Sequence, residues 1–141
     1  MPNELSPPKV LAGQIVLIIE DDPIMLRNLA QWFQQAGCNV TLAHDGVEGL
    51  AQFNKLRPNA IVTDIIMPNR EGVETLMAIK ALDPDVKILA ISGGGRLGSA
   101  DLLGIARGLG ADAVMAKPFR STDVVGALAR LLQPSDEEPR A

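Results

Sequence analysis

Five short apolar runs alternate with amphipathic stretches, and this alternation limits the fold more than any other feature of the chain. The runs are IVLII (15–19), NVTLA (39–43), AIVT (60–63), VKILAI (86–91) and ADAVMA (111–116). Four are nearly continuous apolar, as parallel strands are when helices cover both faces of their sheet. NVTLA is more polar and suits an edge. Between and after the runs, apolar residues recur at helical spacing. Met25, Leu26, Leu29, Ala30 and Phe33 form one stripe; Val47, Leu50 and Ala51 begin a second; Val73, Leu76 and Met77 begin a third. Leu102, Leu103, Ile105, Ala106 and Leu109 form a fourth, and Val124, Val125, Leu128, Leu131 and Leu132 the cleanest. Gly37, Pro58, Pro84 and Gly110 stop the first four. Five strand–helix repeats predict an open, doubly wound α/β sandwich with right-handed crossovers. Of the two common strand orders, 3-2-1-4-5-6 and 2-1-3-4-5, five strands with a polar second one favour 2-1-3-4-5, the flavodoxin-like arrangement.

The chain has 141 residues, enough for one domain. Residues 1–13 hold three prolines and read as a flexible leader; 14–133 make the folded domain; PSDEEPRA (134–141) reads as a disordered acidic tail. A net charge of −4, 3% aromatics and no Tyr argue against a nucleic-acid or anionic-membrane surface. The single cysteine, Cys38, excludes an internal disulfide and reads as a half-buried apolar residue. The single histidine, His44, excludes a multi-histidine metal site and reads as a surface residue after the second strand, away from the rim. Neither a signal peptide nor an apolar stretch long enough to span a membrane is visible, so the expected compartment is the cytoplasm.

Four of the five strands end in a polar residue. The first ends in Glu20-Asp21-Asp22, the third in Asp64, the fourth in Ser92 and the fifth in Lys117-Pro118. In the order 2-1-3-4-5 these ends are neighbours and form one rim, where open α/β sheets bind ligands. Two carboxylates about 4 Å apart repel by about 4 kcal/mol at an effective dielectric of 20. That is about three pKa units of pressure on one of them. Such a group takes up a proton or a divalent cation.

This arrangement resembles the receiver domain of bacterial response regulators, the chemotaxis-regulator fold. The resemblance covers roughly residues 14–133 and rests on IVLIIEDDP, AIVTDIIMP, ILAIS and AKPF, in that order. It implies that Asp64 is the phosphoacceptor. It implies Mg²⁺ held by Glu20, Asp21, Asp64 and the backbone carbonyl of Ile66, an oxygen set that suits the ion. It implies that Ser92 and Lys117 bind phosphoryl oxygens, and that a cis peptide precedes Pro118. The implied donor is a sensor histidine kinase or a histidine phosphotransfer protein, docking around Met25, Leu26, Pro118 and Phe119. The implied function is a single-domain switch that acts through phosphorylation-controlled protein binding. It is not a turnover enzyme, although it would catalyse its own phosphorylation and dephosphorylation.

Several residues also have plain structural roles. Asp22-Pro23 fits a helix N-cap with proline at the first helical position. Asp64 could serve a strand-end turn, Ser92 a cap, and Lys117 a solvated surface. GGGRLG (93–98) matches the dinucleotide fingerprint GxGxxG, but it follows the fourth strand and no acid ends the next one. It reads instead as a glycine-rich loop and an expected signalling element. The family usually has Tyr or Phe three residues before the lysine; here that switch position is Val114. A pseudo-receiver that binds protein without using phosphate is the alternative, and an unrelated flavodoxin-like or dinucleotide-binding enzyme a third.

Overall fold

A computed structural model describes residues 10–64, 71–92, 104, 108 and 110–133, without the side chains of 71–73. Five parallel strands form one sheet in the order β2-β1-β3-β4-β5. They are β1 (Ile15–Ile19), β2 (Asn39–Ala43), β3 (Ala60–Asp64), β4 (Lys87–Ser92) and β5 (Ala113–Ala116). Four described helices pack on them: α1 (Pro23–Gln35), α2 (Gly46–Leu56), α3 (Glu71–Leu82) and α4 (Ser121–Leu132). The 102–109 stripe and the 93–98 loop fall almost wholly outside the described residues; Gly104 and Gly108 have helical backbone.

Side chains along a strand point to alternate faces. Val16 and Ile18 join Val62, Leu89 and Ile91 under α1 and α4, where Leu29, Phe33, Val124 and Leu128 close the first core. Leu17 and Ile19 join Ile61, Ile88 and Ala90 under α2 and α3, where Phe53, Leu76 and Ile79 close the second. Strands buried on both faces need no polar alternation, which is why these runs are continuous. Each large core side chain contributes roughly 1.5–3 kcal/mol by leaving water. β2 is the exposed edge strand its polarity predicted.

Caps set the helix starts. Asp22 accepts the Ile24 amide at 3.0 Å, and Pro23 opens α1. Asp45 accepts the Glu48 amide at 2.8 Å, while Glu48 reaches back to the His44 amide at 2.9 Å. At the other end of α1, Gly37 takes φ 102° and lets the Cys38 amide reach the Phe33 carbonyl at 3.0 Å.

Three readings change. The leader is shorter than 1–13: Leu11 is only 2% exposed and its amide reaches the Ala36 carbonyl at 3.0 Å, so the folded unit extends at least to Leu11. The inner face of α2 carries Gly46, Gly49 and Phe53, while Val47 is 71% exposed. On α3, Ile79 rather than Met77 faces the core; Met77 is 54% exposed.

Candidate functional site

The carboxyl ends of β1, β3 and β4 carry the expected polar groups into one place. Glu20 follows β1, fully buried, and its amide bonds the Ala43 carbonyl of β2 at 3.0 Å. Asp64 is the last residue of β3 and also buried; Asp21 is exposed. One carboxylate oxygen from each of Glu20, Asp21 and Asp64 lies within 4.8 Å of the other two. This is the one such acidic group among the described residues.

Lys117 enters from the end of β5. Its ammonium lies 3.3 Å from Glu20 Oε1 and 3.4 Å from Asp64 Oδ2. Its amide donates to the Ser92 carbonyl at 2.7 Å, so the β4–β5 ladder holds the backbone from which the side chain reaches. Ser92 is fully buried at the end of β4, one residue beyond Ile91, which pairs with Asp64. The Lys117–Pro118 peptide is cis.

The second oxygen of Glu20, Oε2, accepts the Asp22 amide at 3.1 Å. Burial pushes the Glu20 pKa from its ordinary 4.5 up to about 7, against the help of that amide. The charge of Asp64 pushes the same way and Lys117 opposes it. Burial draws Lys117 down, but Asp64 and Glu20 together outweigh it and hold the ammonium above its ordinary value. Glu20 and Asp64 thus share the Lys117 ammonium, and Asp21 completes a group of three carboxylates. Two are buried, one opens to solvent, and all offer hard oxygens. That donor set fits a hard divalent cation such as Mg²⁺, with the open side free for water or an anionic ligand.

Asp22 is the N-cap of α1 and stays outside the acidic group. Ile66 and the 93–98 loop lie outside the described residues. Val114 is a half-buried β5 residue against the second core. Cys38 is buried and its thiol is pushed up to about 11, which makes it unreactive at neutral pH. His44 follows β2 on the same rim, not away from it, with Nδ1 2.5 Å from Glu48 Oε1. The parallel sheet puts every strand's carboxyl end on one side. Two contacts carried no sequence signal. Lys80 joins Asp112 at 3.1 Å at the opposite end of the sheet, and Trp32 meets Phe119 edge-on at 6.4 Å.

A five-stranded doubly wound sheet with a buried glutamate and an exposed aspartate after β1, a buried aspartate ending β3 and a bridging lysine at its rim defines a receiver-type domain. The response regulator receiver domain matches residues 16–129, and the chain belongs to that family. The transcriptional regulatory protein PrrA of Mycobacterium leprae is 35% identical over 118 residues, 84% of this chain and 49% of its own length. The chain thus spans about half of that relative. Chemotaxis protein CheY4 of Vibrio cholerae superposes with a TM-score of 0.78 at 28% identity, covering 86% of this chain and all of its own. The Borrelia burgdorferi CheX–CheY complex with BeF3 and Mg²⁺ gives 0.78 at 25% identity, covering 87% of this chain and 92% of its own. No described helix is long and apolar enough to cross a membrane.

Proposed function

We propose that Asp64 accepts a phosphoryl group and that its modification switches what the domain binds. The observation that carries this reading is Lys117 reaching both Glu20 and Asp64 where three carboxylates converge. In the transfer, a carboxylate oxygen of Asp64 forms a bond to phosphorus as the bond to the donor's leaving group breaks in line. Asp64 sits at the end of a strand buried on both faces, so its approach is set before the donor arrives. Lys117 exchanges its contact with the free carboxylate for one with a phosphoryl oxygen. Ser92, on the adjacent strand, offers its hydroxyl to another. Glu20, Asp21, Asp64 and the Ile66 carbonyl would hold Mg²⁺, which supplies countercharge to the transferring oxygens.

The donor in this reading is a sensor histidine kinase or a histidine phosphotransfer protein, docking at α1 and the Pro118-Phe119 turn. The group modified is the chain's own Asp64 carboxylate; water later hydrolyses the acyl phosphate, which regenerates the carboxylate and releases inorganic phosphate. The likeness to the Borrelia complex, whose structure holds Mg²⁺ and BeF3, supports the metal in this reading.

Purified protein treated with Mg²⁺ and acetyl phosphate is expected to gain a single phosphoryl adduct by intact mass. Asp64→Ala, or removal of Mg²⁺, abolishes it. A folded protein that takes no phosphoryl group from acetyl phosphate or from a kinase panel would leave the phosphate-independent binding module as the better reading.

A further inference from the structure

β5 is a weakly held strand. It has four residues, pairs with β4 alone, and each of its residues is half-buried or exposed. Burial of a face is what usually fixes a strand's register, and β5 has little of it. Yet Lys117 follows β5 directly, and its ammonium stands 3.3 Å from Glu20 Oε1 and 3.4 Å from Asp64 Oδ2. A slip of one residue would move the strand by about 3.3 Å and turn each side chain to the opposite face. The lysine would then lose both carboxylates. The position of β5 along β4 therefore decides whether the site is complete.

A clamp sits at the start of the strand, at the end of the sheet away from the rim. The Asp112 amide donates to the Ile88 carbonyl at 2.8 Å, and Asp112 Oδ2 accepts the Ile88 amide at 2.8 Å. The same oxygen takes the Lys80 ammonium at 3.1 Å. The other two ammonium protons go to the Val86 carbonyl at 2.8 Å and the Pro84 carbonyl at 3.2 Å, between α3 and β4. An ammonium has three donors, so Lys80 is fully paired. Gly110, at φ 98°, admits its stem: a Cβ there would stand 3.0 Å from Lys80 Cγ. Lys80 thus ties the end of α3 and the start of β4 to the start of β5.

We propose that Lys80 and Asp112 are positioning residues for Lys117. They fix where β5 begins along β4, and the Lys117 amide, bonded to the Ser92 carbonyl at 2.7 Å, fixes where it ends. From Asp112 to Lys117 is an extended span of about 17 Å, so the clamp acts through the strand and not on the reacting atoms. The functional half of this inference rests on Asp64 accepting a phosphoryl group.

Amide exchange in metal-free protein tests the clamp itself. Asp112→Ala should speed exchange of the Lys117 amide by about tenfold, while amides of β1 and β3 keep their rates. Lys80→Met keeps the stem over Gly110 and removes the ammonium; it should act in the same direction, less strongly. Asp112→Asn should restore most of the protection, because its side-chain oxygen still accepts the Ile88 amide. Phosphoryl uptake from acetyl phosphate with Mg²⁺, followed by intact mass, tests the positioning. Asp112→Ala should slow it by about tenfold, and in a Lys117→Ala background the same change should slow the remaining rate no further. Mg²⁺ affinity by calorimetry should hold or rise, since a displaced Lys117 no longer competes for Glu20 and Asp64.

An unchanged Lys117 amide in folded Asp112→Ala would overturn the proposal, whatever the chain does with phosphate. Equal slowing with and without Lys117, or weaker Mg²⁺ binding in Asp112→Ala, would overturn the positioning role and leave the clamp a general stabiliser. If Asp112→Ala does not fold, Lys80→Met decides by the same readings. An unaltered chain that takes no phosphoryl group would sink the phosphoacceptor reading alone, and the exchange result would still decide the clamp.

Discussion

Glu20 is a carboxylate that the fold makes costly to ionise. Its pKa is about 7 in the native state against an ordinary 4.5, mainly through burial. A proton is therefore held more tightly by the folded than by the unfolded chain. The associated stability is fully present below pH 4.5 and is lost as pH rises through about 7. The loss amounts to up to about 3 kcal/mol. Metal-free protein is expected to unfold at lower urea at pH 8 than at pH 5.5, and Glu20→Gln should flatten that dependence. Saturating Mg²⁺ should restore most of the lost stability at pH 8, since binding the native state alone stabilises it. A second prediction separates neighbours. Asp22→Ala removes the α1 cap and should cost about 1 kcal/mol in a urea melt while Mg²⁺ affinity by calorimetry changes little. Asp21→Asn should do the reverse, because Asp21 is an exposed member of the acidic group and caps nothing.

At the scale of elements, two helix glycines should answer the same substitution with opposite signs. In α2, a Cβ at Gly49 would sit 2.5 Å from Ile19 Cδ1 and 2.9 Å from Ile19 Cγ1. Ile19 is fully buried, so either its side chain must repack in the core or α2 must move off β1. Gly49→Ala should destabilise by about 1–3 kcal/mol despite its better helix propensity. In α4, Gly126 meets only Arg130 Nη1 at 3.6 Å, an ordinary contact. Gly126→Ala should stabilise by about 0.5–1 kcal/mol. Paired thermal melts of the two variants check both. A stabilised Gly49→Ala would mean that α2 can slide on β1.

At the scale of the whole molecule, the boundary at Leu11 is a packing statement. Leu11 closes the first core at the end of α1, beside Ala36 and Cys38. Leu11→Ala should cost about 2–4 kcal/mol by chemical denaturation, a loss that a free leader would not show. The contrast between sequence and structure runs along the same line. Strand order, strand positions, the α1 cap and the rim residues were legible because they depend on local chemistry. Continuous apolar runs signal two-sided burial, and one polar residue at each strand end signals the rim. Leu11 and the inner face of α2 were not legible, since a lone leucine among prolines and a glycine-lined helix face carry no apolar periodicity. The side of the molecule on which His44 falls, the reach of Lys117 to both Glu20 and Asp64, and the Lys80–Asp112 pair were decided only by the tertiary structure. Each joins residues from separate strands or helices. The sequence by itself determined which groups stand at the strand ends. The parallel sheet decided which of them meet, because a charge pair depends on separation in space, and separation along the chain does not report it.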